Sequence, residues 1–106
     1  MEATKYVAFG VPDVDEAAGF YRDSLGFKEI GRPEGCVALT SGPLTLMICL
    51  DDGNSPCFNL SVDDIEAAEK TFVTHGGEVY LRIRKEVFVK DQYGHCWCLT
   101  PKKVFK

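Results

Sequence analysis

Two cysteines near the end of the chain, Cys96 and Cys98 in "GHCWCLTP", are the side chains whose type and spacing best suit chemistry. Thiolates bind soft metal ions, and an activated thiolate can act as a nucleophile. A protonated cysteine instead behaves as a small apolar side chain and is among the residues most often buried. The pair is therefore compatible with three roles: metal ligands, nucleophiles, or part of an apolar wall.

The spacing of all five cysteines and the expected cellular compartment bear on which of these roles is indicated. The full set is Cys36, Cys49, Cys57, Cys96 and Cys98, and no two of them form a C-x-x-C motif. Neither a zinc knuckle nor a thioredoxin-type motif is therefore indicated. The N-terminus lacks the basic region and long apolar stretch of a signal peptide, which predicts a cytoplasmic location. In that reducing compartment we expect five free thiols.

Composition excludes two classes of partner. The 106 residues are enough for one domain, and the formal net charge is −4. Basic residues are scattered, apart from "RIRK" at 82–85 and "PKKVFK" at the end, which argues against a nucleic-acid binder. No apolar run approaches the roughly 20 residues that span a bilayer, so no membrane partner is predicted.

The hydrophobic pattern predicts short strands and two helices. Segments rich in β-branched and aromatic residues lie at 5–11, 36–41, 44–50, 57–62, 78–83, 86–90 and 95–100, and 26–32 is a weaker eighth. Apolar residues at helical spacing follow Asp13 and end at Gly26, and a second set follows Asp63 and ends at Gly76.

The two predicted helices match each other at an offset of 50 residues. The identities are Asp13/Asp63, Glu16/Glu66, Ala17/Ala67, Ala18/Ala68 and Gly26/Gly76. Five identities at helix starts, faces and ends indicate an internal duplication. The order of strand, helix and three strands, repeated once, predicts an α+β chain in which each half folds a small sheet against one helix.

The stretch "VPDVDEAAGFYRDSLGFKEI" resembles the opening module of the vicinal oxygen chelate superfamily, which includes glyoxalase I, bleomycin-resistance proteins and extradiol dioxygenases. The closing "VFVKDQYGHCWCLTP" resembles the family's last turn and strand, with Gln92 in place of a proline. The resemblance implies one domain over 1–106, with βαβββ modules at about 4–50 and 56–101 forming a cupped mixed sheet. It also implies a homodimer and a ligand on the concave side of the sheet.

Side chains alternate between the two faces of a strand, so each strand can be sorted. Large apolar residues are assigned to the helix side, namely Leu44, Leu46, Ile48, Leu50, Phe58, Leu60, Val62, Trp97 and Leu99. The cup that the resemblance implies is then lined by the remaining set, which gives the candidate ligand-binding residues Tyr6, Met47, Cys49, Cys57, Asn59, Ser61, Cys96 and Cys98.

The resemblance also implies four metal-ligand positions, which fall on Tyr6, Met47, Cys57 and Cys98. Both Tyr6/Cys57 and Met47/Cys98 are related by an offset of 51, which exceeds the helix offset by the extra Pro12. Metal-dependent relatives carry His, Glu or Gln there, and hard divalent ions prefer such oxygen and imidazole ligands. We therefore predict no metal cofactor. The alternative is a soft metal such as Zn or Cu, or a trivalent metalloid, held by Cys57, Cys98 and Met47.

Three functions remain open from the sequence. The first is a metal-free protein that binds a small molecule in a cup shared by a homodimer. The second is an enzyme of lyase, isomerase or dioxygenase type that uses an atypical metal, or Tyr6 as acid or base, or Cys57 or Cys98 as nucleophile. The third is soft-metal or metalloid binding by thiolates. His75 and His95 are not assigned ligand roles, whereas Arg82 and Arg84 share a strand face that could reach an anionic group.

Overall fold

A computed structural model describes residues 1–51 and 56–105. The elements follow the predicted order, strand, helix and three strands, twice. They are β1 (Glu2–Val11), α1 (Val14–Asp23), β2 (Lys28–Gly31), β3 (Val37–Ser41), β4 (Leu44–Leu50), β5 (Cys57–Val62), α2 (Ile65–Thr74), β6 (Glu78–Ile83), β7 (Glu86–Lys90) and β8 (Cys96–Pro101), with short 3₁₀ helices at Pro33–Gly35 and Lys102–Phe105. Within the described residues, no helix is long and apolar enough to cross a membrane.

The helix starts correct one detail of the predicted repeat. The Asp13 carboxylate caps α1 by accepting from the Glu16 amide at 3.0 Å. In α2 the cap is Asp64, which accepts from the Ala67 amide at 3.2 Å, so the assignment to Asp63 was wrong by one residue. The two caps are therefore 51 residues apart (64 − 13), the same offset as the predicted strand positions. No extra residue at Pro12 is needed to relate the halves.

The chain forms two compact units, and residues 5–56 make the first. Its strands are ordered β2-β3-β4-β1, with β1 parallel to β4 and the other two pairs antiparallel. The helix α1 covers one face through Ala18, which is fully buried. The core consists of Ala18, Val37, Leu39, Leu46 and Ile48, so Leu46 and Ile48 lie on the predicted side. Leu50, in contrast, ends β4 outside this core and is 72% exposed.

Residues 57–106 together with 1–4 make the second unit. Its strands are ordered β5-β8-β7-β6, with β5 parallel to β8 and the other pairs antiparallel. Beneath α2 lies a core of Val62, Ala68, Val87, Val89 and Leu99, against which Leu60 and Trp97 pack. Phe58 was also predicted to lie in this core, but it is 44% exposed, and its ring centroid is 5.4 Å from that of Trp97.

Candidate functional site

The second unit carries a polar and sulfur-rich face on the side of its sheet opposite α2. Strand register aligns its residues in two rows. Cys96 pairs with Cys57 on one side and Lys90 on the other, and Cys98 pairs with Asn59 and Phe88. We call this surface the sulfur face; it comprises Cys57, Asn59, Ser61, Glu86, Phe88, Lys90, Cys96, Cys98 and Thr100.

A chain of directed hydrogen bonds crosses the sulfur face. The Thr4 hydroxyl donates to Asn59 Oδ1 at 2.6 Å, and Asn59 Nδ2 donates to Thr100 Oγ1 at 2.8 Å. Thr100 in turn donates to Glu86 Oε2 at 2.9 Å. The Cys98 thiol donates to the same oxygen at 3.3 Å. The chain of hydrogen bonds and the Cys98 thiol therefore converge on a single Glu86 oxygen.

The structure contradicts the prediction of five free thiols. Cys57 is joined to Cys96 by a disulfide, and Cys36 is joined to Cys49. Cys57 and Cys96 are register partners on β5 and β8, with a Cα–Cα distance of 4.7 Å. Cys36 directly precedes β3, and its Cα lies 4.2 Å from that of Cys49 on β4. Direct cross-strand neighbours bring their side chains this close whatever the sequence separation. Of the five cysteines, Cys98 alone remains a thiol.

The Cys98 thiol is held in its protonated form. It is 6% exposed, and burial together with the negative charge of Glu86 raises its pKa to about 12. The Tyr80 hydroxyl lies 2.6 Å from Cys96 Sγ, and burial and Cys98 raise the pKa of Tyr80 as well. A protonated thiol is a much poorer nucleophile than a thiolate, so Cys98 is not activated for attack in this state.

A thiol titration tests this cysteine arrangement directly. Under native conditions we expect Cys98 to react very slowly with an aromatic disulfide reagent, because it is buried and protonated. Unfolding in guanidinium without a reductant should expose one thiol per chain, and prior reduction should expose all five cysteines. Five thiols without reduction, in protein purified under air, would contradict both disulfides.

The first unit has an equivalent face opposite α1. Tyr6 pairs with Thr45, Ala8 with Met47, and Gly10 with Cys49 along β1 and β4. The row of Tyr6 and Thr45 corresponds to the row of Cys57 and Cys96 at an offset of 51 in both strands (57 − 6 and 96 − 45). The predicted equivalences Tyr6/Cys57 and Met47/Cys98 are thereby confirmed as positions in the repeat.

The predicted ligand-binding residues divide between the two units. Cys57, Asn59, Ser61, Cys96 and Cys98 are all buried on the sulfur face. On the first unit's face, Tyr6, Met47 and Cys49 are each half-buried. The Lys5 ammonium lies 5.5 Å from the centroid of the Tyr6 ring. Their roles in binding stay predictions.

The donors at the four implied metal positions do not fit a hard divalent ion. A sulfur in a disulfide is not a thiolate ligand, which removes Cys57 as long as it is bonded to Cys96. Burial and the charge of Glu86 raise the pKa of Cys98, so forming a thiolate ligand there costs more than at an exposed cysteine. Tyr6 and Met47 offer a phenol and a thioether, neither of which such ions prefer. In the described ranges, no three His, Cys, Asp or Glu side chains are grouped to hold a metal ion.

Other charged and aromatic residues that the sequence singled out have structural partners. The Arg82 guanidinium forms two hydrogen bonds to the Glu69 carboxylate, at 2.8 Å and 2.5 Å, so it is not a free anion-binding group. His75 follows α2, where its Nδ1 lies 2.8 Å from the Thr71 carbonyl oxygen. This contact gives His75 a place at the C-terminal cap of α2.

The turn before "HCWC" is held by one carboxylate. Asp91 accepts hydrogen bonds from the Tyr93 and His95 amides and from Trp97 Nε1, each at 2.9 Å. These donors, with Trp97 the strongest, hold the pKa of Asp91 below its usual value. Asp91 therefore fixes the start of β8, and with it the register of Cys96 and Cys98.

Sequence reasoning missed Glu86 and Thr100. Glu86 is the first residue of a strand whose central residues are apolar, and its hydrogen-bond partner Thr100 is 14 residues away in the chain. The available signal was parity, because Glu86 shares a strand face with Phe88, and Thr100 shares one with Cys98. Neither residue belongs to the four positions that the family resemblance implied.

Comparison with known proteins identifies a family match and a shared fold. The family model described as "Glyoxalase/Bleomycin resistance protein/Dioxygenase superfamily" matches residues 4–99. A superfamily member from Vibrio splendidus 12B01 superposes with a TM-score of 0.69 at 19% identity, over 92% of this chain and 97% of that one.

Two other solved structures share the fold. A hypothetical protein from Bacillus halodurans C-125 has a TM-score of 0.69 at 15% identity, over 93% of each chain. A mutant of 4-hydroxymandelate synthase from Streptomyces coelicolor has a TM-score of 0.67 at 20% identity, over 96% of this chain and 39% of that one. No protein with curated function matches this sequence significantly.

Proposed function

The chain belongs to the Glyoxalase/Bleomycin resistance protein/Dioxygenase superfamily, and we propose that it binds a small organic molecule without the divalent metal ion of the metal-dependent members. Each unit offers such a ligand the strand face opposite its own helix. Candidate contacts are Tyr6, Met47 and Cys49 on the first, and Cys57, Asn59, Ser61, Cys96 and Cys98 on the second.

The chemistry of the four family ligand positions carries this proposal. Tyr6, Met47, Cys57 and Cys98 supply no imidazole and no carboxylate, and Cys57 is occupied by its disulfide. A Lewis-acid mechanism would have no suitable coordination shell at these positions. Binding of an organic ligand needs only apolar surface and a few oriented polar groups, which the sulfur face contains.

Enzymatic use of the cysteines receives less support than binding. A nucleophilic thiol needs a depressed pKa, whereas the pKa of Cys98 is raised and Cys57 is bonded to Cys96. The soft-metal alternative would likewise require that the Cys57–Cys96 disulfide first be reduced. Reduction would place three thiols in the buried cluster of Cys57, Cys96 and Cys98, so metal binding should be tested on reduced protein.

A binding screen in the presence and absence of a chelator tests the proposal. Protein purified without chelators should carry only substoichiometric Mn, Fe, Ni or Zn by elemental analysis. A thermal-shift screen of neutral, cationic and anionic aromatic compounds should give binders that act equally with EDTA present. Backbone amide NMR shifts should then change along β4, β5 and β8, and an exposed variant on α2, Thr71→Ala, should bind each compound as the parent protein does.

Two outcomes would overturn the proposal. One is binding that EDTA abolishes and an added divalent ion restores. The other is NMR shift changes confined to the helices. Native mass spectrometry of the same sample reports whether the chain is the homodimer that the family resemblance implies.

A further inference from the structure

The sulfur face contains a carboxylate, Glu86, that lies in no salt bridge within the described part of the chain. Glu86 is half-buried, and none of the described Lys, Arg or His side chains forms a salt bridge with it. Among the described side chains, two neutral donors contact it, Thr100 and Cys98, and both donate to Oε2. Removing a carboxylate from water is costly unless it is paired, so the remaining oxygen favours a donor from outside the chain.

The hydrogen-bond chain on this face is oriented toward Glu86 and offers no second anion. Because Asn59 donates to Thr100 and accepts from Thr4, its amide is fixed and Thr100 must direct its own proton to Glu86. The Cys98 proton is committed to the same oxygen. The result is a single preorganised acceptor, since each donor in the chain is already used.

Aromatic surface continues from this acceptor along the same face. Phe88 lies two residues from Glu86 on β7, which places it on the same side of the strand. The rings of Phe88 and Tyr80 are 6.3 Å apart between centroids. The cation on this face, Lys90, lies 5.4 Å from the Tyr80 centroid and four residues from Glu86, roughly 13 Å along the strand.

We propose that Glu86 anchors the cationic nitrogen of an aromatic small-molecule ligand whose ring packs against Phe88 and Tyr80. This inference rests on the proposed small-molecule binding and adds the class of ligand. A single carboxylate suits an ammonium or amidinium group, whereas Ca²⁺ would need six to eight oxygen ligands. A charge-assisted hydrogen bond at a partly buried site also selects a cation over a neutral isostere.

Matched pairs of compounds test the charge preference. The probes are 2-phenylethylamine against 2-phenylethanol, tryptamine against tryptophol, and benzamidine against benzamide, each titrated by amide NMR. We expect the cation of each pair to bind roughly 10- to 100-fold more tightly. Glu86→Gln keeps the size of the side chain and an acceptor for Thr100, so it should remove the preference while sparing neutral probes.

Glu66→Gln is the matched control, because it makes the same change in net charge on the exposed side of α2 and should leave the preference intact. Equal affinity within each pair, or a preference that survives Glu86→Gln, would overturn the inference. Failure of all three cations to bind would overturn it too. The wider screen with EDTA, which includes neutral and anionic compounds, decides the proposed function separately.

Discussion

Replacing Cys57 and Cys96 together by alanine should lower the free energy of unfolding by about 4 kcal/mol under oxidising conditions. The disulfide closes a loop of 39 residues, and a cross-link of that length removes much conformational freedom from the unfolded chain. Small domains have total stabilities of roughly 5–15 kcal/mol, so this loss would leave the fold marginal. Both cysteines are buried beside Cys98, and their removal also loses some packing.

Urea unfolding followed by the fluorescence of the single tryptophan, Trp97, measures the effect. Wild-type protein in reductant distinguishes the stability contributed by the disulfide from that contributed by side-chain packing, because it loses the cross-link and keeps both cysteine side chains. Alanine at both Cys36 and Cys49 is the matched comparison: its loop spans 13 residues, and the expected loss is about 3 kcal/mol. Equal stability of oxidised and reduced wild-type protein would show that neither bond contributes.

Strand periodicity predicted the fold well because large apolar side chains alternate with smaller or polar ones along the central strands. Leu46, Ile48 and Leu99 alternate with Met47 and Cys98 as expected, and the large apolar members pack in the two cores. Parity assigns a face but does not report how far the covering helix extends. Leu50 has the predicted parity, yet it stands at the last position of β4 and is exposed.

Cysteine pairing could not be predicted from spacing. Cys57 and Cys96 are 39 residues apart, and they meet only because β5 and β8 are parallel neighbours in one specific register. Four cysteines already allow three connectivities, so the strand order is needed before the pairing. The prediction of free thiols rested on an expected reducing compartment, which says nothing about which cysteines the strand register brings together.

The family resemblance and the repeat located positions better than they located chemistry. The offset of 51 correctly related Tyr6 to Cys57 and Met47 to Cys98. Glu86 escaped notice because its surroundings form through cross-strand contacts with Thr100 and Cys98 and not through a local motif. An ordinary-looking strand glutamate becomes a candidate anchor only once its neighbours are known.

Alkaline pH should destabilise the wild-type protein relative to Cys98→Ala. The unfolded thiol ionises near pH 9, whereas the folded thiol holds its proton until about pH 12, because burial and Glu86 disfavour the thiolate. A raised folded pKa means that the associated stability is complete below the unfolded pKa and is lost as pH rises through the folded one. Across that window the loss approaches about 4 kcal/mol, of which about 2 kcal/mol falls below roughly pH 10.5.

Urea unfolding of both proteins at about pH 7, 9 and 10.5 measures this difference, since the ionisation of the lysines, and of the tyrosines other than Tyr80, is common to the two proteins and cancels. The alanine also removes packing at Cys98, which shifts its curve by a constant and leaves the pH slope unaffected. Glu86→Gln removes the negative charge that adds to burial in raising the thiol's pKa, so it should reduce the slope at the alkaline end. Parallel curves for wild type and Cys98→Ala would mean that the Cys98 thiol titrates in the folded protein as it does in the unfolded chain, and the cysteine would then be available as a thiolate on the sulfur face.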